Sequence, residues 1–264
     1  MSHDIVLFET DPRGVARVTL NRPDVHNAFN AQVIERLGAI WDEIGARKDI
    51  RVVTIRGNGK SFCAGGDLDW MRKSGQQDRA ANLAETMVLA GMLKKLNELP
   101  QAVISLVHGN CMAGGTGLAA TSDIVIASAE TKFALTEVRL GLTPATISPY
   151  VVAAIGPRQA RRYFLTAERF DAADAYRLGL VHDLAKDPDD LAAKGEAMVQ
   201  ALLLGAPEAI ADSKKLVRNV AHVTSPDEAL MRYTAENIAD RRASAEGQEG
   251  LAAFFGKRKP KWAE

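Results

Sequence analysis

VHGNCMAGGTGLAATSDIVIAS, Val107–Ser128, is the stretch whose reading decides the fold. The apolar run before it, Ala102–Val107, reads as a strand feeding a loop that turns on Gly109, Ala113, Gly114, Gly115 and Gly117. Leu118–Thr121 reads as the start of a small-residue helix, and Ile124–Ala127 as the next buried strand. A strand, a glycine loop, a helix and a strand in so short a span bring backbone N–H groups to a helix N-terminus with no side chains in the way. The first N–H groups of a helix have no intrahelical partner, and the helix dipole favours negative charge beside them. Such a unit can hold a phosphate, or an oxygen that becomes negative only during a reaction.

Three readings compete for these glycines. They can simply let a helix pack closely on a sheet. Gly115-x-Gly117-x-x-Ala120 also fits a dinucleotide fingerprint, but several residues separate Val107 from Gly115, whereas that fingerprint follows its strand directly. The nearest following acid, Glu130, comes too early to hold a ribose. The third reading, an oxyanion hole, requires a second N–H donor and a catalytic acid or base elsewhere.

The second donor has a candidate upstream. Ser61–Trp70, SFCAGGDLDW, follows the strand Val52–Ile55 and is another glycine turn opening a helix, with Asp67 near its N-terminus. Gly57-Asn58-Gly59-Lys60-Ser61 resembles the end of a phosphate loop, but Thr54 stands where that loop needs its first glycine. Further out, Ile5–Phe8 and Val15–Leu20 read as a hairpin closed over Asp11–Gly14. Asn30 can cap a helix with Val33, Ile34, Leu37, Ile40, Trp41 and Ile44 at helical spacing. Ala81–Leu99 is a long amphipathic helix stopped by Pro100. After a short extended Lys132–Leu135, the pattern is helical over Tyr150–Ile155, Arg158–Leu165, Ala172–Arg177, Asp190–Leu204, Glu208–Val220 and Pro226–Ala245. Strands paired before each glycine turn make a strand–strand–helix repeat in an α/β chain, not a simple alternation.

Composition bounds the function. The chain has 264 residues, 25% charged and 47% hydrophobic, enough for one large core or a core plus an appendage. Lys+Arg and Asp+Glu balance at 33 each, so no global field draws it to nucleic acid or a membrane. Its two cysteines, Cys63 and Cys111, are expected in Gly/Ala-rich loops; one disulfide is formally possible, and no metal site is expected. No signal-type core and no membrane-length apolar run are present, so a cytoplasmic location is the default expectation.

SFCAGGDL, GNCMAGGTGLAATSD and FALTEVRLGL (Phe133–Leu142), in this order, resemble the crotonase, or enoyl-CoA hydratase/isomerase, superfamily. The likeness runs from Asn21-Arg22-Pro23 to the Phe254–Lys257 tail. It implies a spiral of strand–strand–helix turns over residues 1–204 and a helical region, 205–264, that makes trimers, often paired into hexamers. The substrate implied is an acyl-CoA, and coenzyme A belongs to that substrate, so no separate cofactor is expected. Matching positions give the N–H groups of Gly66 and Gly114 as oxyanion donors. Coenzyme A contacts are implied at Asp24, Val25, His26, Ala28, Ala64, Gly65, Asp67 and Leu68. Phe254 and Lys257 match tail positions that reach the coenzyme A of a neighbouring subunit; by composition alone they are a solvated basic end.

Two hydrogen-bond donors on a thioester carbonyl stabilise enolate charge and open chemistry at C2 and C3, which then needs a proton carrier. In the two-glutamate hydratases the first catalytic glutamate aligns with Gly117, which has no side chain, and the second with Glu137. Arg139 reads as a structural or orienting cation, and His26 and His108 as hydrogen-bonded loop histidines. One carboxylate is compatible with hydration, with double-bond isomerisation, or with a member that only binds. RNA binding is disfavoured, since Asn30–Lys48 carries Glu35, Asp42 and Glu43 and one lysine. DLDWM (Asp67–Met71) and EVRLGLTPATISPYVV (Glu137–Val152) further resemble the bacterial branch acting on glutaconyl-type branched acyl-CoAs, which favours hydration.

Overall fold

The computed structural model describes residues 4–221 and 223–263. β1 (Val6–Thr10) and β2 (Val15–Leu20) form the expected antiparallel hairpin. Asp11 closes it by accepting from the N–H groups of Arg13 and Val15. The side chain of Asn30 caps α1 (Ala31–Ala46) by accepting from Val33 N at 3.0 Å, and the stripe from Val33 to Ile44 is buried.

Three turns of strand, strand and helix follow. β3 (Val52–Gly57) leads to β4 (Ser61–Cys63), then α2 (Leu68–Ser74) and α3 (Arg79–Glu98). β5 (Ala102–Val107) leads to β6 (Asn110–Met112) and α4 (Gly114–Thr121). β7 (Ile124–Ser128) leads to β8 (Lys132–Ala134), a 3-10 turn over Glu137–Leu140, and α5 (Ser148–Thr166). The chain continues through β9 (Phe170–Asp171), α6 (Ala172–Leu178) and β10 (Asp183–Ala185).

The first strand of each turn joins one sheet, ordered β1-β2-β3-β5-β7-β10, and the second joins another, ordered β4-β6-β8-β9. Within these sheets only the β1–β2 and β8–β9 pairs are antiparallel. The chain therefore steps from the large sheet to the small one on every turn, which is the spiral the resemblance implied. The first two steps end at glycine loops, Ala64–Gly66 and Ala113–Gly115, and the third at the 3-10 turn that carries Glu137.

Two expectations are corrected here. Cys63 and Cys111 lie on β4 and β6 as register partners, buried and unbridged, not in loops. Burial pushes the Cys63 thiol up to about 12, so neither reactivity nor metal ligation is favoured there. The helix expected from Leu118 begins at Gly114, because its first turn is made by the glycines themselves.

α5 holds the expected break, at Gly156, whose φ of 74° interrupts the helical path. Then α7 (Pro188–Leu203), α8 (Pro207–Val220), α9 (Glu228–Ala243) and α10 (Ala245–Phe255) complete the helical part. Polar contacts tie these helices to the sheets. Arg51 donates to the carbonyls of Leu203, Gly205 and Trp262, and Lys214 pairs with Asp123 at 2.7 Å.

Candidate active site

The two glycine loops meet because β4 and β6 are neighbours in the small sheet. Phe29 links to the first loop: its N–H donates to Gly65 O at 2.7 Å, and its carbonyl accepts from Asp67 N at 2.8 Å. This bridge uses the residues on either side of Gly66, so the Gly66 N–H is left over. Gly114 is the first residue of α4, where an N–H has no partner within the helix. Among the described residues neither N–H meets an acceptor.

The direction of the second donor rests on Ala113. It has φ 46° and ψ −115°, a conformation that costs a non-glycine residue about 1–3 kcal/mol. Its own N–H is held by Ala134 O at 2.8 Å, which fixes the peptide before it. Gly115 allows α4 to lie directly on β4, since a Cβ there would stand 2.4 Å from Cys63 O.

Gly66 and Gly114 line one cavity of 450 Å³ together with Glu137. Its apolar wall includes Phe29, Leu68, Trp70, Met71, Leu140 and Ile147. The Glu137 carboxylate projects from the 3-10 turn after β8. Its Oε2 is buried and finds no hydrogen-bond partner among the described residues. Burial pushes its acidity to a higher pKa than an ordinary glutamate. The arrangement combines two free N–H donors with a half-buried carboxylate that can accept and return a proton.

The place opposite Gly117 is taken. A Cβ at Gly117 would come 2.1 Å from Ile147 Cγ2 and 2.6 Å from its Cβ, so Ile147 fills the space a side chain would need. The sequence reveals the missing carboxylate but not what replaces it.

The other expected site residues divide into two groups. Ala64 and Leu68 line the cavity with the two donor glycines and Glu137. Gly65 adopts φ 98° and supplies the carbonyl for Phe29, while Asp67 caps α2 and pairs with Arg22 at 2.9 Å. Asp24, Val25 and His26 form a separate turn before α1, and Ala28 is buried behind it. His26 Nδ1 stands 3.1 Å from Ser61 Oγ, and His108 Nε2 stands 3.0 Å from Gly59 O, so both are hydrogen-bonded loop histidines. Arg139 is exposed and does not line the cavity; neither do Phe254 and Lys257, which are exposed on α10 and just beyond it. Among the described residues no group of three or more His, Cys, Asp or Glu could hold a metal ion.

Sequence reasoning missed Glu85, Trp70 and Ile147 as cavity residues. Trp70 and Ile147 lie in quoted motifs whose side-chain directions only the fold reveals. Glu85 gave no signal at all, being one acid on an amphipathic helix.

Comparison with known proteins gives the family. Residues 10–264 match the family model described as enoyl-CoA hydratase/isomerase. A probable enoyl-CoA hydratase of Mycobacterium bovis is 33% identical over 99% of both chains. A mevalonyl-coenzyme A hydratase of Aspergillus fumigatus is 29% identical over 93% of this chain and 90% of its own. The crystal structure of an enoyl-CoA hydratase from Shewanella pealeana superposes with a TM-score of 0.94 at 41% identity, covering 99% of this chain and 97% of that one. Matched by that family model over residues 10–264 and folded as the same spiral as its solved relatives, the chain belongs to the enoyl-CoA hydratase/isomerase family.

Proposed function

We propose that this protein adds water across the double bond of a 2-enoyl-CoA, using Glu137 as its single catalytic carboxylate. The observation that carries the reading is the buried, unpartnered Oε2 of Glu137 in the same cavity as two unpaired backbone N–H groups. The thioester oxygen accepts from Gly66 and Gly114. Water attacks C3 as Glu137 removes its proton, and the electron pair of the double bond moves onto the thioester oxygen as an enolate. Glu137 then returns the proton to C2, which restores the carbonyl and leaves the 3-hydroxyacyl-CoA. Each N–H donor is worth roughly 2.7–4 kcal/mol of transition-state stabilisation.

The acyl group is read as a branched chain. Two observations support that: the resemblance of DLDWM and EVRLGLTPATISPYVV to a branch acting on glutaconyl-type branched acyl-CoAs, and the relative named for mevalonyl-coenzyme A. For the assembly we read a homotrimer or a pair of trimers in the cytoplasm, with Phe254 and Lys257 serving a neighbour's coenzyme A. Their exposure on the surface of one chain supports a role outside it.

A double-bond isomerase is the second reading, favoured by Ile147 standing where another carboxylate would have to project. Turnover of crotonyl-CoA in deuterium oxide separates the two. Hydration yields a 3-hydroxyacyl-CoA carrying deuterium at C2. If no 2-enoyl-CoA gives a hydroxyl product while 3-enoyl-CoA is converted to its 2-enoyl isomer, the isomerase reading replaces this one.

A further inference from the structure

The cavity holds a second carboxylate for which the proton transfer has no use. Glu85, on α3, reaches across to α2. Its Oε1 accepts from Trp70 Nε1 at 2.5 Å and its Oε2 from Ser74 Oγ at 2.5 Å. Trp70 and Ser74 are one helical turn apart, so the two contacts fix the carboxylate in one orientation on the cavity wall. Asn82 and Thr86 flank it on α3 and line the same space.

The charge of this wall is one-sided. Glu85 and Glu137 both line the cavity, and among its described lining residues none is Lys, Arg or His. Arg72 and Lys73, the nearest cations along α2, are exposed, and Arg72 is paired with Asp69 at 2.7 Å. A chain end that carried a carboxylate would gain no counter-charge on this wall and would face two like charges. An apolar chain end, or one bearing a hydroxyl that donates to Glu85, meets no such cost.

We propose that Glu85 makes this cavity select enoyl-CoA substrates with uncharged acyl ends and reject those whose chain ends in a carboxylate. The proposal rests on the enoyl-CoA reading above and narrows its acyl group. The chain stays branched, but the glutaconyl type, with its terminal carboxylate, becomes the disfavoured case.

Binding of saturated analogues tests this without any reaction. Valeryl-CoA and glutaryl-CoA have acyl chains of the same length and differ in the terminal carboxylate, and neither has a double bond to hydrate. Calorimetry on the full-length protein should give a Kd for valeryl-CoA at least about tenfold below that for glutaryl-CoA. In Glu85→Gln the ratio of the two Kd values should shrink by about threefold or more. Because the readout is a ratio within each protein, a general loss of affinity in the variant cancels. Equal or tighter binding of glutaryl-CoA by the wild type overturns the proposal, even where Glu85→Gln does not fold. A ratio that Glu85→Gln leaves unchanged overturns the role of Glu85. Failure to bind either thioester overturns the enoyl-CoA reading and this proposal with it, whereas a protein that binds both but hydrates nothing fails only as a hydratase.

Discussion

At the scale of single residues, the role proposed for Glu137 follows from where its carboxylate is, not from what surrounds it in sequence. Glu137→Gln keeps the shape of the side chain but cannot take a proton. Hydration should fall by about two to four orders of magnitude, while binding of a saturated thioester survives on the untouched N–H donors. Burial raises the pKa of this group above that of an ordinary glutamate, and the proposed reaction needs the ionised form. The acid limb of kcat/KM should therefore lie above the pH at which an ordinary glutamate titrates, and activity should rise as pH increases through it. Stability runs the other way. A carboxylate whose folded pKa exceeds its unfolded pKa binds more protons in the native state between the two values. Its contribution therefore declines as pH rises through that window. Denaturant midpoints measured across the same range should fall less with pH in Glu137→Gln than in the wild type.

At the scale of elements, the site depends on how closely α4 can approach its neighbours, and two substitutions probe that approach. Ala113 holds a positive φ at the start of α4, so Ala113→Gly should relieve strain and raise stability by about 1 kcal/mol, or about 2–4 °C in Tm. Gly117→Ala should act oppositely. Its new Cβ would overlap Ile147, and such overpacking costs about 1–3 kcal/mol. Ile147→Ala combined with Gly117→Ala should recover part of that loss, seen as a coupling energy in thermal or urea unfolding. If the double variant is as unstable as the sum of the two singles, the contact does not limit the approach.

The same elements mark what a sequence reveals. Helices such as α1 are legible because Asn30 and the stripe from Val33 to Ile44 follow local rules. β4 and β6 are three residues each and follow no period; they exist because parallel pairing across the spiral supplies their partners, and so Cys63 and Cys111 read as loop residues. That Gly66, Gly114 and Glu137 line one cavity was legible through motif resemblance, since free backbone N–H groups come from such glycine turns. Ile147 and Glu85 were not, because each acts through a contact with a residue far along the chain or on another helix.

At the scale of the whole molecule, the cavity is bordered by apolar side chains that one chain leaves uncovered. Leu68, Leu140 and Leu142 line it and are 77%, 61% and 54% exposed. On α10, Phe254 and Phe255 pack edge to face and are each 77% exposed. Exposed apolar groups of this kind mark association surfaces, which fits the trimeric assembly proposed above. Deleting the tail is a poor test of that assembly. Trp262 donates to Leu204 O and its carbonyl accepts from Arg51, so truncation would also loosen the chain's own helical part. Point substitutions avoid this. If Phe254 and Lys257 serve a neighbour's coenzyme A, Phe254→Ser and Lys257→Ala should each weaken coenzyme A binding by several-fold to about tenfold. The effect of Lys257→Ala should fade as salt is raised from low to about 0.5 M, because an exposed lysine–phosphate contact is screened, whereas that of Phe254→Ser should persist. Calorimetry at two salt concentrations reads both, and sedimentation velocity reports whether assembly is retained. Unchanged affinity in both variants, with assembly intact, would remove the tail from the site and leave coenzyme A held within one chain.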